Sequence, residues 1–349
     1  MQEKGKRIRL GDIAKKLGVS TATVSLAMRD SSLVAEATRQ RVRAFAEEAG
    51  YIYNRSAASL RTSTSNMIGV AVHDILNPYF AEVYRGIEET LAAEGKMVLM
   101  SNHRDFVGRQ QQFVETLLQY RADGLILCPS VGTTAKEINA IQEQGVPVTL
   151  VCRDVPGAMV PVVRGDDYTG AYMMTRHLIE LGHAHIAMVG GRRSSSAGRD
   201  RNLGWRTALE DAGLDPDRQL DIPELMDRND GVSVVADILE FKPRPTAVMC
   251  FNDLVALGVM TGVRRAGVEP GPQLAITGYD NTESGRNRTP ALTTVSNGAN
   301  LTGELAAKLM LRKLNGEDVP ANITLIKPFL KLRQSAPSIG VRLSPQVMI

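Results

Sequence analysis

The sequence predicts an all-α head and a short linking helix, joined to a two-lobed α/β core built on parallel sheets. Three observations predict this class. Residues 10–49 hold three short segments with helical apolar spacing. From Met67 onward, continuous apolar runs alternate with amphipathic stretches. That alternation starts again at about residue 185, so the core reads as two similar halves. With 349 residues and 43% apolar content, the chain can bury two or three packed units. Aromatics are only 5%, so the cores must be built from Val, Ile, Leu, Met and Ala.

In the head, Ile13, Ala14 and Leu17 share one apolar face, Val24, Ala27 and Met28 a second, and Val42, Phe45, Ala46 and Ala49 a third. Gly50 suits the residue just past a helix end. Between the first two segments lies LGVSTATVS (17–25), a glycine followed by a run of small hydroxyl residues. Two helices joined by a tight turn at Gly18 suit a helix-turn-helix, with Ser20 as N-cap of the second helix and Val19 and Val24 locking it to the first. At about 100° per residue, Ala22, Leu26 and Arg29 lie opposite Val24, with Ser25 flanking them. Such a small-residue face could enter a DNA groove, where thymine methyls would give Ala22 and Leu26 apolar partners. The hydroxyls of Ser20, Thr21, Thr23 and Ser25 could donate to phosphates near the helix N-terminus. An ordinary helical hairpin would show the same spacing. Residues 51–66 then hold one short helix at Asn54 to Leu60 with almost no apolar face, and a Thr/Ser-rich linker.

In the core, MIGVAV (67–72), MVLM (97–100), DGLILC (123–128) and VPVTLVC (146–152) read as buried strands, as do HIAMVG (185–190), TAVMCF (246–251) and LAITGY (274–279). Helices are expected over 79–94, 109–120, 135–144, 203–212, 232–241 and 253–266. The segments after Tyr279, with a helix at 301–314, are too few for a third domain and should complete the two halves.

Charge is uneven. Residues 1–62 carry 12 Lys/Arg against 6 Asp/Glu, while the remainder carries 29 against 32. A basic head on a mildly acidic body suits a polyanionic partner. Cys128, Cys152 and Cys250 are far apart and end apolar runs, which fits buried thiols in a reducing compartment. The N-terminal MQEKGKR has no apolar stretch behind it, and no run approaches the ~18 residues of a membrane span, so a cytosolic protein is expected. His183 and His185 sit before a strand and do not make a metal site. GGRRSSSAG (190–198) fits neither dinucleotide nor P-loop spacing. No nucleophile–base set is visible, so neither enzyme activity nor a cofactor is expected.

With these features in place, the chain resembles the lactose-repressor (LacI/GalR-type) family of bacterial transcription regulators. The likeness runs through LGDIAKKLGVSTATVSLAMRD, TRQRVRAFAEEAGYIYNRSAASLRT, NPYFAEVYRGIEETL, DGLIL, LIELGHAHIAMVGG, FNDLVALGVM, ITGYDN, PALTTV and LKLRQS. It implies a helix-turn-helix domain at 1–50, a hinge helix and linker at 51–66, and a periplasmic-binding-protein-like sensing core at 67–340. The implied lobes are about 67–163 with 296–322, and about 164–292 with 323–340. It places Thr21, Ala22 and Leu26 against bases. Many relatives carry arginine where Leu26 stands, so a guanine contact is lost here. Ala35 stands where a serine usually caps the third helix. Leu60 matches the hinge leucine that wedges into the minor groove, with Ala57 one turn earlier and Asn54 and Arg55 reaching phosphates.

In the core the resemblance implies a ligand cleft lined by Tyr79, Phe80, Arg201, Asn252 and Asp280. Tyr79 and Phe80 equally suit a helix start and core filling, and Asn252 and Asp280 equally suit helix caps. Some sugar-binding relatives have an acidic residue near Cys152. Here Arg153 stands next to it, which suits an acidic sugar derivative. The implied function is an allosteric repressor of an inverted-repeat operator in double-stranded DNA. It would act as a homodimer, since residues after Gln334 show no heptads for a tetramer. Its effector would be a sugar or sugar derivative, alternatively a nucleoside or purine or a protein. A periplasmic-type solute-binding protein would share the core but lack residues 1–62.

Overall fold

The structure, a computed structural model, describes residues 8–51 and 64–338. The chain divides into two compact units at Ser65. The linking helix expected at 54–60, with Asn54, Arg55, Ala57 and Leu60, lies outside the described residues.

The head is three helices, α1 (Leu10–Leu17), α2 (Thr21–Met28) and α3 (Glu36–Glu48), around Ile13, Ala14, Val24, Ala27, Val34, Val42 and Ala46. Gly18 ends α1 at φ 68°, a left-handed conformation that carries little penalty without a Cβ, and its N–H bonds Ala14 O. Ser20 caps α2 by accepting from Thr23 N at 3.0 Å. Ala35 gives α3 no side-chain cap.

The core unit carries two six-stranded sheets. The first is built from β1 (Met67–Val72), β2 (Met97–Asn102), β3 (Gly124–Leu127), β4 (Val148–Val151), β5 (Val162–Gly165) and a late strand, β11 (Ile323–Ile326). Its order is β11-β5-β4-β3-β1-β2, and every pairing is parallel. Helices α4 (Pro78–Ala93), α5 (Val107–Gln119) and α6 (Ala135–Glu143) connect these strands. The second sheet runs β12-β10-β9-β8-β6-β7. Its strands are β6 (Ile186–Val189), β7 (Asp221–Ile222), β8 (Ala247–Cys250), β9 (Ala275–Tyr279), β10 (Thr293–Ser296) and β12 (Phe329–Lys331). Its helices are α7 (Asp167–Glu180), α8 (Ser196–Asp211), α9 (Arg228–Ser233), α10 (Val235–Glu240), α11 (Asp253–Arg265) and the short α12 (Glu283–Arg286). Helix α13 (Ala299–Leu314) packs back on α4 and the first sheet. The chain therefore passes between the lobes near residues 166, 297 and 328.

Several expectations need correction. The strand at 323–326 belongs to the first lobe, because Ile323–Ile326 pairs with Val162–Gly165; the return to the second lobe comes with β12. The first lobe also keeps Arg164 and Gly165, while the second keeps β10 to Ser296. The expected parallel sheets are present, with β12 added antiparallel to β10 as an edge strand. The helix expected over 203–212 begins at Ser196, and the one expected over 232–241 is two short helices. Asp167–Glu180 was not foreseen as a helix, because glycine, threonine and tyrosine interrupt its apolar period. Gly170 is there for close approach: a Cβ would lie 2.3 Å from the Tyr279 hydroxyl. Among the described residues, no helix is long and apolar enough to cross a membrane.

Candidate functional site

The head presents α2. Thr21 and Ala22 are exposed. Ser20 and Thr23 hydroxyls bond each other at 2.9 Å, so Ser20 both caps the helix and orients its neighbour. Two candidates sit differently from expectation. Ser25 is buried, and Leu26 is half-buried against the three-helix core. The reason is that α1 and α3 both pack against this eight-residue helix, so the arc left to solvent is narrower than a half-circle. Leu26 is thus partly accommodated by the head itself. Arg29 is exposed, and its Nε donates to Ser25 O at 3.3 Å.

In the core, residues just past the carboxyl ends of the parallel strands of both sheets line a cavity of about 640 Å³. Tyr79, Phe80, Arg153, Arg201, Asn252 and Asp280 all lie on its wall. Asn77 caps α4, accepting from Tyr79 N at 3.0 Å, and Pro78 opens the helix, so Tyr79 and Phe80 are delivered to the wall while also packing in the first lobe's core. Asn252 likewise does both jobs expected of it. It caps α11 through Val255 N at 2.8 Å and lines the cavity. Asp280 caps no helix here; Thr282 caps the α12 that follows it.

Arg201 is 5% exposed and is held on four sides. Its Nε donates to Asp167 at 2.8 Å and its Nη1 to Phe251 O at 2.5 Å. Its guanidinium lies 3.6 Å from the Tyr279 ring centroid and 4.5 Å from that of Phe251. Its Nη2 lies 4.0 Å from Asp280, and both residues line the cavity. Burial pushes the Asp280 carboxyl up to about 8, with Arg201 pulling the other way. Asn77 Nδ2 donates to Asp280 across the lobes at 3.3 Å.

Sequence reasoning missed a second cluster. Asp105 accepts from Arg153 Nη1 at 2.8 Å and from Arg192 Nη1 at 2.9 Å. Burial raises Asp105, but the two guanidiniums outweigh it and hold the carboxyl below its usual range. Arg153, 4% exposed, also donates to Pro129 O at 3.2 Å and lies 3.4 Å from His73 Nε2. Burial, with Arg153 beside it, lowers His73 to about 4, so it is neutral at pH 7. The signal that would have found this cluster is position. Asp105 and Arg192 each lie three residues beyond a strand end, Asn102 and Val189, on opposite lobes.

A helix-turn-helix head and a two-lobed cleft core define a DNA-binding regulator with a sensing domain. The profile described as "Bacterial regulatory proteins, lacI family" matches residues 9–54, and that described as "Periplasmic binding proteins and sugar binding domain of LacI family" matches 65–333. The chain belongs to the LacI family of transcription regulators. Among curated relatives, the HTH-type transcriptional repressor PurR of Pectobacterium atrosepticum is 30% identical over 328 residues, covering 93% of this chain and 95% of the relative. PurR of Vibrio atlanticus is 28% identical over 330 residues, covering 94% and 98%. Among solved structures, a lac repressor dimer bound to operator and the anti-inducer ONPF is 27% identical with a TM-score of 0.84, covering 95% of this chain and all of that one. A LacI family regulator from Enterococcus faecium with bound ribose is 26% identical with a TM-score of 0.73, covering 78% and 99%.

Proposed function

We propose that this chain is a homodimeric repressor whose operator affinity is set by a small molecule in the inter-lobe cleft. The observation that carries the reading is that both lobes supply the cavity wall, Tyr79, Phe80 and Arg153 from one and Arg201, Asn252 and Asp280 from the other. A ligand touching both must bind the two inter-lobe angles with different affinity, which is what shifts an equilibrium between states. The lac repressor dimer bound to its operator and the LacI family regulator with bound ribose, both similar to this chain, support the same reading.

In this reading residues 1–50 read DNA, 51–66 form the hinge and 67–340 sense. Thr21, Ala22 and the outer edge of Leu26 face bases; Ser20, Thr23 and Arg29 serve the backbone. The buried Ser25 has a packing role instead. Asn54 and Arg55 contact phosphates, and Ala57 and Leu60 enter the minor groove at the operator centre. The chain has no catalytic task and works in the cytoplasm on the nucleoid.

The test is an operator selected from random duplexes, followed by a thermal-shift screen of sugars, sugar acids, polyols, sugar phosphates and nucleosides. The selected site should be an inverted repeat, and the stabilising ligand should change the protein's affinity for it. Leu60→Ala should weaken specific DNA binding while sparing ligand binding. A clean monomer by light scattering at micromolar concentration would overturn the paired-hinge account.

A further inference from the structure

We propose that the effector carries a carboxylate, bound between Arg153 and Arg192 in the place that Asp105 occupies in the structure. The inference rests on the cleft being the effector site, and it names the ligand class that site takes.

Asp105 is the guide. It sits in the first lobe, where one oxygen accepts from Arg153 at 2.8 Å and from Val131 N at 2.9 Å, yet its other oxygen accepts from Arg192 of the other lobe at 2.9 Å. The guanidinium pair is thus already set at carboxylate-binding distance across the cleft. Two arginines share one buried acid, and the neighbouring His73 adds no charge. The remaining acid near Arg192, Glu224, is 60% exposed and 3.7 Å away, too far for a hydrogen bond. Among the described residues, Arg192 therefore has no second hydrogen-bonded carboxylate.

Two further features favour an incoming anion. Helix α4 begins at this cavity with the uncharged cap Asn77 and no acid in its first turn, so its positive end is left unneutralised by its own side chains. The turn presenting Asp105 is also costly. Arg104 and Asp105 are consecutive non-glycine residues at φ 53° and 60°, in the left-handed region. Releasing Asp105 lets that turn relax. Arg192, with its side chain 35% exposed, is the more accessible of the two guanidiniums that hold Asp105. The aromatic faces of Phe80 and Phe251 on the same wall would flank the ligand's carbon frame.

The exchange also explains how binding reaches the lobe angle. In the structure the Asp105–Arg192 pair is a bridge between lobes that belongs to the protein. A ligand carboxylate replaces it with a bridge whose length is set by the ligand.

Calorimetric titration of the full chain with matched pairs tests this: D-glucuronate against D-glucose, D-galacturonate against D-galactose, and D-gluconate against D-glucitol, with hypoxanthine and guanosine alongside. At least one acid should bind about tenfold or more tighter than its neutral partner. Arg192→Gln should weaken that acid roughly tenfold to a hundredfold. Asp105→Asn should tighten it, because the internal competitor loses its charge. Opposite signs in two neighbouring variants exclude misfolding as the cause. The proposal is overturned if neutral members bind as tightly as acids, if both variants shift affinity the same way, or if no acid binds at millimolar concentration. A neutral sugar or purine that binds and alters affinity for the selected operator would overturn the carboxylate while leaving the effector reading in place. If no compound changes either melting or operator affinity, both fall.

Discussion

Arg201→Met should destabilise the sensing core by about 3–5 kcal/mol at neutral pH, because it strands Asp167. Asp167 is 2% exposed, and its closest cation is Arg201 Nε at 2.8 Å; Arg164 Nη1 is 3.8 Å away. Taking the charge centres roughly 4 Å apart and an effective dielectric near 20 gives about 4 kcal/mol of attraction lost. Burial already raises the Asp167 carboxyl even with Arg201 and Arg164 pulling it down. Without Arg201 it rises further, and protonation becomes the escape. The deficit should therefore shrink as pH falls, because protons neutralise the stranded group. Thermal unfolding followed by circular dichroism at pH 7 and pH 5 reads this out. At about 2–4 °C per kcal/mol, the single variant should melt roughly 6–20 °C lower at pH 7 and by visibly less at pH 5. Arg201→Met with Asp167→Asn should recover much of the loss. A fall of less than about 3 °C, or a deficit that grows toward low pH, would refute the pairing argument.

Asp280 gives stability a pH dependence of its own. Its native carboxyl titrates at about 8, against about 3.9 in an unfolded chain, so between these values the native state holds a proton that the unfolded state has released. This group's contribution is complete below pH 4 and is lost as pH rises toward 8. Urea unfolding at pH 5 and pH 8 should show a difference of a few kcal/mol that Asp280→Asn removes. In the head, Gly18→Ala forces a Cβ into φ 68° and should cost about 1–2 kcal/mol, and Ser20→Ala should cost about 1 kcal/mol through the lost cap. Calorimetry on the two variants checks both, and an unshifted head transition would count against the turn geometry.

Much of the fold was legible because its signals are local. Gly18 and Ser20 mark a helix break and restart by backbone chemistry alone, and the buried strands announce themselves as unbroken apolar runs. Placement of the returning strands was not legible. Ile323–Ile326 and Phe329–Lys331 are separated by two residues yet join different sheets, and their composition carries no mark of either. The cavity lining was legible through the family resemblance for Arg201 and through residue type for Arg153. What was hidden is how those arginines are held. Asp167, Phe251 and Tyr279 around Arg201, and Asp105 and Arg192 around Arg153, are brought together by tertiary structure across dozens of residues. Leu26 was misjudged for a similar reason, since a wheel drawn on one helix knows nothing of the two helices beside it.

The late strands bear on how the molecule is made. Neither sheet has its full set of strands until β11 and β12 have been synthesised, so neither lobe is a continuous stretch of chain. The head, by contrast, is a local three-helix unit whose described core residues all lie between Ile8 and Tyr51. At ribosomal speeds of about 5–20 residues per second, roughly fifteen seconds to a minute separate the emergence of the head from that of the last core strands. During that interval the half-built core must keep the apolar edges of two unfinished sheets from pairing with other chains. A newborn repressor of this design would have its reading head before it has its sensor.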